Sequence, residues 1–258
     1  VTQHGQLASG QVMKVDADEL ALAGLVQGGS INLTSERATQ QGRILATDTL
    51  NWHSKQLDGN GWLQAGQALN LSGERLTHSG TAVTAGKLAL TFAELNSTGG
   101  LFANEMVVAG SRLLLKGALE SKSSAQITAD ELQLGGELRT GSDLALGATL
   151  LTLSGTQHVG GNLQLQAEQT AVSGELEVGK LLKLDAKTLA SSGKLLANQA
   201  DIAAVNWQQR GELSTDNALV WRGDKLTQEA GGALRVGGVL KLSGDDITLA
   251  GDVAAKGD

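Results

Sequence analysis

Gly24, Gly42, Gly61, Gly80, Gly99, Gly117, Gly136, Gly155, Gly174, Gly193 and Gly211 follow one another at intervals of 18 or 19 residues. A fixed short period of this kind denotes a stack of like units, each unable to bury its apolar face alone, and it excludes an ordinary globule. Alignment on the glycine gives thirteen units, which begin at Met13, Ile31, Leu50, Leu69, Leu88, Met106, Ala125, Leu144, Leu163, Leu182, Ala200, Leu219 and Leu240. With the first residue of a unit counted as offset 0, glycine stands at offset 11 throughout, except that Ala230 replaces it in the Leu219 unit.

Each unit carries the same internal pattern. Offsets 0 and 2 are apolar in every unit, as in Leu69 and Leu71 or Leu163 and Leu165. Offset 4 is Ala, Gly or Ser in every unit but one, where Phe92 stands, and offset 7 is nearly always Leu. Offset 13 is usually Leu, Val or Ile, and offset 15 is mostly small or β-branched. Alternation by two is the signature of a strand with one face inward, and a helical spacing is not supplied. The spacing predicts one coil per unit, made of three short strands joined at tight corners, with equivalent strands of successive coils paired in parallel. The small residue at offset 4 relieves one corner, and the glycine at offset 11 is expected to supply either positive φ or tight clearance at another. Parallel crossovers are right-handed as a rule. A left-handed coil would place anchors at 0, 6 and 12, which this pattern does not do. The expected fold is therefore an all-β, right-handed parallel β-helix of about thirteen coils with a 19-residue period.

Composition fits. The chain has no Pro, which would remove a ladder donor, and no Cys, which suits a protein exported unfolded. No apolar run is long enough for stable insertion in a membrane, and no secretory signal is visible. A net charge of −7 without a basic stripe argues against nucleic acid as a partner. Gly5 and Leu7 match offsets 11 and 13 of a preceding unit, and neither end shows a cap. Residues 1–258 read as one repeat domain, internal to a longer filamentous protein.

The clean repeats Leu163–Val178 and Leu182–Ala197 resemble the 19-residue repeat of filamentous haemagglutinins, and similar repeats form the stalks of contact-dependent growth inhibition effectors. The likeness runs over essentially the whole chain. It implies two-partner secretion from a Gram-negative bacterium through a dedicated outer-membrane transporter, and residence as a secreted, cell-surface virulence filament. It also implies a structural stalk that projects a distal adhesive or toxin-delivering part. The alternative is an adhesive segment whose own flank binds a host glycan or a host or bacterial surface receptor. A carbohydrate-active β-helix enzyme comes third.

Chemistry is sparse. His4, His53, His78 and His158 fall at unrelated offsets and read as solvent-facing. No phosphate loop, zinc motif or nucleophile elbow is present. Asp16, Asp18 and Glu19, and the pair Asp245 and Asp246, lack the spacing of a calcium loop. No catalytic, metal or cofactor residue is assigned, and the chain does not read as an enzyme. Offset 6 runs Glu19, Arg37, Gln56, Arg75, Glu94, Arg112, Glu131, which predicts an alternating charge ladder with Arg75–Glu94–Arg112–Glu131 as its regular stretch. Asn32, Asn51 and Asn70 predict an outward amide ladder, and Asn32, Asn70 and Asn96 head formal glycosylation triplets. Trp52, Trp207 and Trp221 sit at inward offsets. Trp62 at offset 12 and Phe102 at offset 14 should point outward and are the contact candidates. Two extra residues at Gln228–Gly232 should form a small bulge.

Overall fold

The computed structural model describes residues 1–256. Its strands are parallel and stack as a β-solenoid with the period of the glycines, and no helix occurs among the described residues. Contacts gather the chain into two compact units, Val1–Ala129 and Asp130–Asp258.

In the first unit an eleven-residue strand alternates with a four-residue one: Ser30–Gln40 then Arg43–Ala46, Thr49–Gly59 then Trp62–Ala65, Ala68–His78 then Thr81–Thr84. Register is set residue for residue by the repeat, with Ile31 beside Leu50, Leu50 beside Leu69 and Leu69 beside Leu88. All four of these side chains are fully buried. A slip of one residue would turn the inward set out to water, so burial itself holds the register. In the second unit the strands include Leu144–Leu153, Leu163–Val172, Glu175–Ser191, Lys194–Gln209 and Glu212–Arg222, paired in the same way.

Two expectations about the corners change. The strand is not interrupted at offset 4: ladder pairing continues through the bend in most turns, and three separate strands occur in the Met106 turn alone of the first unit's turns. A bend with small inward side chains keeps its hydrogen bonds, so the first corner is a curve within one strand. The second concerns positive φ, one of the two causes expected for the offset-11 glycines. None has positive φ, and Gly73, at φ 158° and offset 4, is the one glycine with a positive value among the described residues. What demands glycine at offset 11 is close approach. A Cβ on Gly42 would overlap the carbonyl oxygen of Gly24, one on Gly61 that of Gly42, and one on Gly155 that of Gly136. Each of these carbonyls points along the stack because it accepts a ladder bond from the next turn, Arg43 N–H to Gly24 O at 2.9 Å and Trp62 N–H to Gly42 O at 3.0 Å. The column is a line of backbone contacts with no room for a side chain.

The aromatic side chains are seated by their neighbours. Phe92 fills the corner that other turns leave to small residues, with Gly73 and Gly110 on either side of it, where added Cβ atoms would meet its ring or its backbone. Trp52 is buried and donates through Nε1 to Ser35 Oγ at 3.3 Å, which in turn bonds Ser54 Oγ at 3.0 Å. Trp207 donates to Ser191 Oγ at 2.8 Å and Trp221 to the Ala204 carbonyl at 3.2 Å, and the two rings lie 6.5 Å apart at 48°. A buried indole needs such a partner for its N–H. The inward reading of these three tryptophans holds.

Offset 9 is a second inward position, and it is polar in many turns: Gln40, His78, Ser97, Ser191, Gln209 and Gln228 are all buried. The glutamines clamp the glycine corner. Gln40 Nε2 donates to the Gly42 carbonyl at 2.6 Å while its Oε1 accepts from Gly61 N–H at 3.2 Å, and Gln228 Nε2 reaches both Gly232 O and Asp252 O. His78 occupies the same position and is not the solvent-facing histidine expected from the sequence. Its Nε2 lies 3.5 Å from the Gly100 carbonyl, and its column neighbours Gly59 and Ser97 are uncharged. Burial therefore holds the imidazole below its ordinary value of 6.5, the Gly100 carbonyl opposing only in part. The unfolded chain then takes up a proton that the folded chain refuses, so stability is full above about pH 6.5 and declines as pH falls toward the folded value. His78→Gln, which copies the residue used by Gln40 and Gln228, should flatten the urea midpoint across that window. An unchanged slope would show that His78 is not the group responsible.

Candidate functional site

The outward columns are tied from turn to turn. Arg37 pairs with Glu19 at 2.6 Å, Arg75 with Glu94 at 2.9 Å, Lys187 with Glu168 at 2.6 Å and Arg210 with Glu229 at 2.7 Å. Lys55 pairs with Glu36, and Arg222 with Asp201 at 2.5 Å. The hydrogen bond from Arg37 holds the Glu19 carboxyl below its usual range, and that from Arg210 does the same for Glu229. Gln56 interrupts the offset-6 charge column, with Arg37 on one side and Arg75 on the other. All these groups are solvent-exposed, and exposed pairs contribute little each. Their effect is to cover the flank with self-satisfied charge.

The amide ladder forms as expected: Asn51 Nδ2 donates to Asn32 Oδ1 at 2.9 Å and Asn70 Nδ2 to Asn51 Oδ1 at 2.8 Å. Of the three glycosylation triplets, this engages the amide nitrogen of Asn70 and only the amide oxygen of Asn32, while Asn96 stands exposed on its strand.

Trp62 and Phe102 share one outward face of the first unit, on the strands Trp62–Ala65 and Gly100–Ala103. Trp62 is 37% exposed, and its Nε1 donates to Gln64 Oε1 at 3.2 Å. Phe102 is only half-buried, its ring folded back over Gly100, where a Cβ would strike it. Phe102 borders a shallow hollow of about 280 Å³ with Gln64, Val83, Glu120 and Lys122. The two extra residues of the Leu219 turn form a tight turn closed by Gly232 N–H to Glu229 O at 2.9 Å. Gln228 belongs to the preceding strand and is buried, so the bulge is confined to Glu229–Gly232.

One surface was not singled out from the sequence. In the second unit the offset-6 column runs Leu150, Gln169, Thr188, Asn206 without a charge, each the ladder neighbour of the next. Beside it, at offset 8, stand Ala171 and Ala190. Together they line a groove of about 420 Å³ that ends at Lys225 and Thr227. Its signal in the sequence was the lapse of charge over four consecutive turns of a column that elsewhere lapses only at Gln56.

Among the described residues, no three His, Cys, Asp or Glu side chains converge on a metal position, and no helix is long and apolar enough to cross a membrane. The chain matches no family model, and no curated protein or solved structure matches it.

Proposed function

We propose that this chain is a structural spacer: a segment of a secreted, cell-surface filament that holds a distal binding or toxin-delivering part away from the cell. The observation that carries this reading is the turn-to-turn character of its contacts. Ladder bonds, amide ladders and most ion pairs join equivalent positions of neighbouring turns, so each flank is largely occupied with holding the stack together. Within either unit little remains for a cleft with converging acids, bases or nucleophiles, which a polysaccharide-cleaving site requires. Export through a two-partner outer-membrane transporter follows from the resemblance of the repeat, and the absence of Cys accords with it.

A spacer tolerates a change of length in whole turns. Excising Leu50–Ala68, one turn of 19 residues, from the parent filament should leave export and distal activity intact and shorten its reach by about 4.8 Å. If distal activity vanished while the shortened filament was still exported and folded, the spacer reading would be wrong.

A further inference from the structure

The groove across Leu150, Gln169, Thr188 and Asn206 departs from the self-satisfied flanks in three ways. It lacks charge over four consecutive turns of a column that elsewhere lapses only at Gln56, and its one basic neighbour, Lys225, is already paired with Asp246 at 2.9 Å. Its floor is formed by the methyl groups of Ala171 and Ala190 beside Thr188. And four of its polar side chains are free: the amides of Gln169 and Asn206 and the hydroxyls of Thr188 and Thr227 have no hydrogen-bond partner among the described residues, unlike the asparagines of the amide ladders and unlike Gln208 at the groove's edge, which donates to Glu229 Oε1 at 2.9 Å.

Size separates the classes of occupant. Four register steps at about 4.8 Å make a strip roughly 19 Å long. At the width of three strand residues its area is on the order of 150 Å², against the roughly 800 Å² per partner of a stable protein interface. The volume of about 420 Å³ falls instead in the range of small-ligand sites. An anionic ligand would find no unpaired cation here, and a purely aliphatic one would strip water from four polar groups without replacing it. A ring with apolar faces and hydroxylated edges meets both demands.

We propose that this groove binds an uncharged oligosaccharide, pyranose faces on the alanine floor and hydroxyls on the amides of Gln169 and Asn206 and the hydroxyls of Thr188 and Thr227. The groove lies along the stack, so the sugar chain runs across the strands and successive residues meet successive turns. This goes beyond the spacer reading, which needs no ligand.

The test is an NMR titration of the isotope-labelled 258-residue chain with cellohexaose, maltohexaose and chitohexaose, and with a heparin hexasaccharide as the anionic arm. At least one neutral oligomer should give saturable shifts at the backbone amides of Gln169, Ala171, Thr188, Ala190 and Asn206, and heparin should give none there. Ala190→Arg, which fills the exposed floor, and Asn206→Asp, which adds charge at nearly constant size, should each weaken that binding by about tenfold or more, about 1.4 kcal/mol, with the thermal midpoint unchanged. The proposal fails if no neutral oligomer shifts these residues by about 10 mM, beyond the millimolar scale of weak binding. It fails equally if heparin saturates the same residues, or if both variants bind as the parent does. None of these failures touches the spacer reading, whose test is the excised turn.

Discussion

Gly155→Ala is expected to lower stability by about 3 kcal/mol, the upper part of the range for forcing atoms into a filled site. The methyl group would overlap the Gly136 carbonyl oxygen, and that oxygen cannot swing aside because it accepts the ladder bond from Thr156 N–H at 3.1 Å. The methyl is fixed rigidly to the backbone and the atoms it strikes are all backbone, so relief requires the two turns to part and costs ladder bonds on either side. Gly231→Ala is the control. Nothing lies within 4 Å of a Cβ placed there, and the change should stay within about 0.5 kcal/mol. Urea midpoints of the two variants decide the matter. Similar losses at both positions would mean that the glycine column is not a line of obligatory contacts.

Leu146→Asp should cost about 3–5 kcal/mol, the scale on which an unpaired buried charge destabilises a fold. Leu146 is 2% exposed, and its ladder neighbour in the next turn is the equally buried Leu165. In a globule such a lesion unfolds everything. In a stack whose turns contact only their neighbours, damage stays local at first. Hydrogen exchange should therefore accelerate over residues 144–184 of the second unit, while the strands Glu212–Arg222 and Ala233–Val236 remain slow. Equal acceleration throughout that unit would show its turns to be one cooperative block.

The turn-to-turn register was legible because period and alternation reinforce each other: Leu50, Leu69 and Leu88 repeat at 19 residues, and the ladder puts them side by side. Trp52, Trp207 and Trp221 could be placed inside for the same reason. What the pattern hid were inward positions filled by polar residues. Gln40, His78 and Gln228 look like surface residues by type, yet the corner leaves backbone groups that need a partner, and these side chains supply one. Gln157 marks the limit of that logic. It stands fully buried at offset 13, and its amide nitrogen and oxygen find no partner among the described residues. Positive φ and tight clearance both select glycine, so the sequence left the two causes of the glycine column open, and the backbone shows that clearance is the one that acts. Of the contact candidates, Trp62 lies exposed as read. Phe102 does not stand free, because Gly100 gives its ring a place to lie, and that depends on a neighbour two residues away. The groove of the second unit escaped because small and amide residues carry no motif, and only their adjacency across four turns makes a shape.

The three corners of a turn differ in what they tolerate. The first is a bend inside a strand, and the second is pinned by glycine carbonyls and glutamine clamps. The third absorbs the repeat's irregularity. Every 18-residue unit loses its residue there, between Gly28 and Ile31, Ala103 and Met106, and Ala197 and Ala200, and the ladder records the loss as a shift between Val178 and Leu181 against Ala197 and Gln199. A copying slip of one residue at that seam is silent, since the strands on both sides keep their phase. The same slip at a glycine corner would turn offsets 13 and 15 inside out. Repeats of this kind can therefore drift in length along one edge while their core stays in step.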